Sequence, residues 1–185
     1  PGKLAFSRDL FVLLFLLRGM PFVDLAFLRR CDLQGNVITY HRRKTSRKLT
    51  VVVGKEAMEI IQKYMYAIPD SPYLFPIIQN PGKDEYGQYA RMLRLQNYRL
   101  TQVANILGIR DRLSTYTARH TWATTALRQN YNSSLICDAM GHSSVKVTET
   151  YFQPYRDDEV NRMNSSLITY ILSKKKRGTD KKIRS

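Results

Sequence analysis

The sequence predicts a mainly α-helical domain that carries one small antiparallel β-sheet. Three observations predict it. Most of the chain divides into stretches with recognisable helix starts and stops, such as Ser7, Pro21, Gly108 and Gly141. Two β-branched runs, Val37-Ile38-Thr39-Tyr40 and Leu49-Thr50-Val51-Val52-Val53, flank a basic stretch and read as a hairpin. A length of 185 residues at 43% hydrophobic content fits one domain with a core.

The elements follow in order. Ser7 is a candidate N-cap for an apolar, buried helix running to about Gly19. Pro21 suits the first turn of a second helix, through about Arg30. Gly35-Asn36 reads as a turn into the hairpin, whose tip holds Arg42, Arg43, Lys44, Arg47 and Lys48. Ala57, Ile60, Ile61 and Tyr64 recur at helical spacing and predict a helix over Lys55 to Ala67. Asp70 to Asp84 contains Pro72, Pro76 and Pro81 and reads mostly as loop. A long helix is expected from about Tyr86 to Leu107, stopped by Gly108. Further helices are expected over about Tyr116 to Asn130, Ser133 to Met140 and Asp157 to Leu172. Residues 1–172 are therefore read as one domain, and 173–185 as a basic, disordered tail.

Composition narrows the function. The formal net charge is +15, from 30 basic and 15 acidic residues, which favours a polyanion and foremost a nucleic acid. The apolar run Leu10 to Leu17 is too short to span a bilayer and Arg18 ends it, so no signal peptide is expected; no long amphipathic basic helix stands out, so no membrane partner is expected. Cys31 and Cys137 are too few for a disulfide scaffold and lack a metal-ligand cluster; both are expected as core thiols in a reducing cytoplasm.

The most informative pattern lies near the C-terminal end. Gly141-His142-Ser143-Ser144 is followed by Tyr151, nine positions after His142. Upstream stands Arg119, within Tyr116-Thr117-Ala118-Arg119-His120-Thr121-Trp122. Together these resemble the two C-terminal boxes of the tyrosine recombinases, or phage-type integrases. The resemblance implies a helical catalytic domain that cuts and rejoins double-stranded DNA through a 3′-phosphotyrosyl intermediate. It implies neither metal nor other cofactor, a homotetramer on paired DNA sites in the full-length protein, and a separate N-terminal DNA-clamping domain that this fragment lacks.

The resemblance also assigns roles. Tyr151 matches the nucleophile, and a cation-lined pocket is expected to favour its phenolate. Arg119 matches an arginine that grips two phosphate oxygens, as a planar guanidinium can. His142 matches a histidine that bonds a phosphate oxygen or the tyrosine. Lys44 matches a hairpin lysine that protonates the leaving 5′-oxygen, with Lys48 as runner-up. Tyr155 is read as a packing residue, Trp122 as core, and His120 as structural.

Two positions depart from the family pattern. Tyr116 stands where His-x-x-Arg has its histidine; it can contact an oxygen but is a poor proton acceptor near neutrality. Gly19-Met20-Pro21-Phe22-Val23-Asp24-Leu25 places Pro21 where the first arginine normally stands, while Asp24 keeps the acidic position. Arg18 lies three residues earlier, about one helical turn away, and is the expected substitute. A subgroup of mobile-element integrases looks similar here, with Arg-Gly-Met in place of the usual arginine. Two rival readings remain: a type IB topoisomerase-like strand transferase, and a DNA-binding protein that has lost catalysis.

Overall fold

A computed structural model describes residues 2–151 and 161–169. The architecture is mainly helical with one three-stranded antiparallel sheet, as the sequence predicts.

Helix α1 (Lys3–Leu16) is central: it buries Leu10, Leu13 and Leu14 and packs against α3 (Lys55–Tyr64), α4 (Glu85–Ile106) and α5 (Thr115–Arg128). It begins before the expected Ser7 cap. Ser7 sits inside the helix, fully buried, and its carbonyl accepts from Gln96 Nε2 of α4 at 2.7 Å. Burial against α4 has overridden the capping preference of serine. On the far side of α1, the Asp9 carboxylate accepts from Tyr64 Oη at 2.7 Å and Lys63 Nζ at 2.9 Å, fastening α1 to α3. Burial pulls the Asp9 pKa upward, but the bonds from Lys63, Tyr64 and Arg8 outweigh it and hold the group at about 2.

Arg18 and Gly19 both take left-handed backbone, at φ 60° and 66°, and end α1. Gly19 is required there, because a Cβ would stand 3.1 Å from Arg119 Cα. Helix α2 (Phe22–Ala26) starts after Pro21 as expected but stops short of Arg30. A 3₁₀ turn over Arg30–Asp32 follows, in which Asp32 Oδ2 captures the Arg29 amide at 2.8 Å.

Strands β1 (Leu33–Gln34), β2 (Val37–His41) and β3 (Lys48–Val52) lie in the order β1-β2-β3, with Ile38 opposite Val51 and Tyr40 opposite Leu49. β1 is too short to have left a sequence signal. Ile38, Tyr40, Leu49 and Val51 face the core, and the alternation carries Arg42, just past β2, to the same inward side. The expected loop after α3 is present and packs inward: Leu74, Phe75, Ile77 and Ile78 are all buried.

Helix α5 opens on a capping box in which Ser114 and Thr117 exchange side-chain-to-amide bonds. Helix α6 (Ser133–Met140) ends at Gly141 as predicted, and a short α7 (Val145–Glu149), with no counterpart in the sequence expectation, leads to Tyr151. Ala123, Ile136, Met140 and Tyr151 form a second, smaller core, against which Trp122 is half-buried. Cys137 is buried, but Cys31 is exposed and is not the core thiol expected. Residues 161–169 form one further helix, in a second compact unit beginning at Phe152. Tyr155, the ends of the helix expected over Asp157 to Leu172, and the tail 173–185 lie outside the described residues. Among the described residues no helix is long and apolar enough to cross a membrane.

Candidate active site

The site forms where the α1–α2 junction, the hairpin tip, α5 and the α6–α7 junction meet. Arg119, Arg42, His142 and Tyr151 are each only 6% exposed. Arg119 Nη1 donates to Gly19 O at 2.6 Å and Nη2 to Met140 O at 3.0 Å. Arg42 Nη1 donates to the same Met140 carbonyl at 2.6 Å. One backbone oxygen at the end of α6 therefore draws two buried guanidiniums together. Burial lowers the Arg119 pKa, and the like charge of Arg42 lowers it further.

Asp24 of α2 is the counter-charge. Its Oδ2 lies 2.8 Å from Arg42 Nε, in an alignment too poor for a directed hydrogen bond, so the contact is chiefly Coulombic. Its Oδ1 accepts the Arg43 amide at 2.9 Å. Burial raises the Asp24 pKa, and that amide with the arginines opposes the rise. Two buried cations thus face one buried anion, so positive charge remains uncompensated among these three side chains. Gly141 lets the pocket close: its φ is 64°, and a Cβ there would stand 3.0 Å from Arg42 Cγ.

Tyr151 places its hydroxyl 3.1 Å from that of Tyr116. Its ring stacks on His142 at 6.0 Å between centroids and 10° between planes, and meets the edge of His120 at 5.2 Å. Burial and the Tyr116 hydroxyl push the Tyr151 pKa up to about 12, while Arg119 pulls the other way. The expected phenolate is therefore not what this pocket favours when free; desolvation outweighs the cation. For His142, burial followed by the charges of Arg119, Arg42 and Lys44 pushes the pKa down to about 4, so the ring is neutral near pH 7.

The hairpin tip is docked on the Gly141-His142 turn. Thr45 Oγ1 donates to Gly141 O at 3.3 Å, Arg47 Nη1 to His142 O at 3.2 Å, and Arg47 Nη2 pairs with Asp138 at 2.8 Å. Arg43 lies over the Phe27 ring at 3.8 Å. Lys48 lines an outer groove with Asp32, Gln34, Val37 and Thr39. Lys44 is exposed, has no hydrogen-bond or ion-pair partner among the described residues, and acts electrostatically on His142.

The structure thus brings together Tyr151, Arg119, His142 and Tyr116, with Lys44 at the rim. Arg18 is placed differently from expectation: its Nη1 donates to Thr50 O of β3 at 3.3 Å, and no hydrogen bond joins it to Arg119, His142 or Tyr151. Sequence reasoning missed Arg42 as a buried member of the site. The available signal was strand alternation, because Ile38, Tyr40 and Arg42 share one face. Thr148, fully buried and 2.8 Å from His142 Nδ1, was also missed. Among the described residues no group of three or more His, Cys, Asp or Glu converges as a metal site.

Residues 3–157 match the phage integrase family. The chain is 26% identical over 135 residues to tyrosine recombinase XerC of Thermodesulfovibrio yellowstonii, covering 67% of this chain and 42% of that protein. It is 32% identical over 60 residues to a tyrosine recombinase of Pseudothermotoga lettingae, covering 32% of this chain and 21% of that one. The chain thus spans less than half the length of these curated relatives. Its fold is similar to that of XerA recombinase, with a TM-score of 0.60 at 19% identity over 88% of this chain and 61% of the other. It is also similar to the Tn1549 transposon integrase in complex with a circular intermediate DNA, with a TM-score of 0.63 at 19% identity over 85% and 57% of the two chains.

Proposed function

Because the chain belongs to the phage integrase family, we propose that this domain cleaves and rejoins DNA for site-specific recombination, with Tyr151 as nucleophile. The observation that carries the reading is the pair of buried guanidiniums, Arg42 and Arg119, held on one carbonyl with a single carboxylate beside them. A phosphodiester is the anion such a pocket fits, because each guanidinium offers N–H donors in a fixed plane. Arg42, in place of Arg18, is the second phosphate cation in this reading.

The reaction runs as follows. The Tyr151 oxygen attacks the phosphorus, its phenolic proton passes to solvent water by way of the exposed Tyr116 hydroxyl, and the bond to the 5′-oxygen breaks. Arg119, Arg42 and the free nitrogen of His142 hold the charge that develops on the non-bridging oxygens. Lys44 supplies a proton to the departing 5′-oxygen. Tyr116, through its contact with the Tyr151 hydroxyl, aims the nucleophile. The product is a 3′-phosphotyrosyl link with a free 5′-hydroxyl, and attack by the 5′-hydroxyl of a partner duplex reverses the step. The whole protein acts on paired double-stranded sites as a homotetramer in this reading, and the Tn1549 integrase likeness supports a mobile-element role.

The test uses nicked duplexes cut from DNA flanking the gene, in which a cleaved strand diffuses away and traps the covalent complex. Wild-type protein should yield a DNA adduct that survives denaturation. Tyr151→Phe, which removes one hydroxyl, should retain binding and lose the adduct. An adduct of normal yield from Tyr151→Phe would overturn the assignment, and no adduct from any flanking duplex would leave a binder without catalysis.

A further inference from the structure

We propose that Thr148 is a positioning residue that sets the tautomer of His142, making the free ring nitrogen a hydrogen-bond donor toward the anion held by Arg119 and Arg42. The anion's identity rests on the strand-cleavage reading; the tautomer does not.

The argument begins with a buried hydroxyl. Thr148 is 0% exposed, and its Oγ1 lies 2.8 Å from His142 Nδ1. A hydroxyl has one proton to donate, and burying it without an acceptor is costly. Among the described residues His142 Nδ1 is its one hydrogen-bond partner. The Thr148 proton therefore points at Nδ1, Nδ1 accepts, and the imidazole proton sits on Nε2. In a neutral ring the two nitrogens have opposite roles, so fixing one fixes the other.

The rest of His142 is already engaged. Its amide donates to Cys137 O at 3.0 Å. Its carbonyl accepts from Arg47 at 3.2 Å and from Cys137 Sγ at 3.8 Å. One ring face stacks on Tyr151. Nε2 is the atom left over, and with a proton it can donate to an anion oxygen. In the opposite tautomer Nε2 would present a lone pair, which repels a phosphate oxygen. A neutral donor also suits this pocket, because a third positive charge beside Arg42 and Arg119 would be disfavoured; burial and those same charges keep His142 unprotonated.

Backbone geometry ties the same residue to the nucleophile. The Thr148 carbonyl accepts the Tyr151 amide at 3.1 Å. Thr148 thus holds the histidine by its side chain and the tyrosine by its main chain, which accounts for the stacking of the two rings.

Two measurements test this together. Long-range proton–nitrogen correlation on the free protein, labelled at its three histidines, reads the tautomer directly, with His142→Asn identifying the signal. At pH 7, His142 should show the Nε2–H pattern. Thr148→Val keeps the side-chain shape and removes the donor, so the signal should move to a mixture of tautomers; Thr148→Ser should restore the original pattern. In the nicked-duplex assay, Thr148→Val should slow adduct formation by about 10–100-fold, the usual scale for losing a partner that orients a functional histidine. Thr148→Ser should be near wild type, and DNA retention should be unchanged in both. A wild-type Nδ1–H signal overturns the proposal whatever the variants do, and so does a Thr148→Val protein that forms adduct at the wild-type rate. Should Thr148→Val fail to fold, the wild-type tautomer and the serine variant still decide. If wild-type protein forms no adduct, the cleavage reading fails, and the spectrum of the free protein still decides which nitrogen Thr148 fixes.

Discussion

Arg42→Ala is the most informative perturbation, because it separates structural from chemical roles in the same side chain. In the free protein it removes the partner of Asp24, whose Oδ2 lies 2.8 Å from Arg42 Nε. Removing one member of a buried pair costs about 3–5 kcal/mol. Asp24 keeps the Arg43 amide at 2.9 Å, and burial already favours its protonated form, which places the expected cost at the low end, about 3 kcal/mol. For a chain of this size that lowers the melting temperature by roughly 6–12 °C. In the reaction, a guanidinium about 4 Å from a phosphate charge, at an effective dielectric of about 20, interacts by about 4 kcal/mol. Losing such a contact typically slows the chemical step by about 10²–10³. The double variant Arg42→Ala with Asp24→Asn should recover much of the melting temperature and none of the rate. The assays are thermal melting of the free protein and single-turnover adduct formation on nicked flanking duplexes, with Arg18→Ala in parallel. Wild-type adduct kinetics in Arg42→Ala would refute the reasoning. A large loss in Arg18→Ala alone would assign the second cation to Arg18 after all.

Three further outcomes are expected. Lys44→Ala should lose cleavage and regain it on a substrate with a 5′-bridging sulfur, whose departure needs no proton; rescue of Lys48→Ala in place of Lys44→Ala would move the acid to Lys48. Tyr151 should stay protonated in the free protein until strongly alkaline pH, because burial pushes it to about 12; a difference titration against Tyr151→Phe showing ionisation near neutrality would refute that. Asp9 has a folded pKa of about 2, below the ordinary 3.8, so its stabilisation is present above about pH 4 and lost as pH falls through 2. Asp9→Asn should cost about 1–2 kcal/mol at pH 7, after discounting for the half-exposed Lys63 and Arg8, and almost nothing near pH 2. An equal gap in melting temperature at both pH values would remove Asp9 ionisation as its source.

Much of this arrangement was legible in the sequence, and the reasons differ by residue. Gly141 was readable as a helix stop because only a left-handed residue ends α6 there. Tyr151 and His142 were readable through their spacing, which a short linking helix fixes. Ser7 misled because its capping preference is local while its burial against Gln96 is tertiary. The segment Asp70 to Asp84 was readable as loop from its prolines, but the prolines carry no signal that Leu74, Phe75, Ile77 and Ile78 fill the core. Arg42 was hidden by company. Five basic residues crowd one tip, and charge alone says that all of them face solvent. Strand alternation separates Arg42 from the rest, but that rule needs the exact end of β2, which sequence places least reliably.

The free site is held in a state that does not react by itself. Tyr151, the nucleophile of the proposed reaction, is a phenol with its pKa pushed to about 12, and His142 is neutral with its pKa pushed to about 4. At pH 7 the phenolate fraction implied by such a pKa is on the order of 10⁻⁵. An approaching phosphate brings negative charge that offsets the pull of Arg42 and Arg119 on the tyrosine proton, so binding does not release that proton beforehand. In the proposed reaction the proton therefore leaves, by way of Tyr116 to water, as the new bond forms. For a strand-cleaving domain this has a physical advantage. The two guanidiniums are ordered before DNA arrives, so little reorganisation accompanies attack, while the nucleophile stays inert until a phosphodiester is correctly seated. Desolvation, which disfavours the phenolate in the free pocket, and preorganised charge, which stabilises the reacting phosphate, arise from the same burial of Arg42, Arg119, His142 and Tyr151.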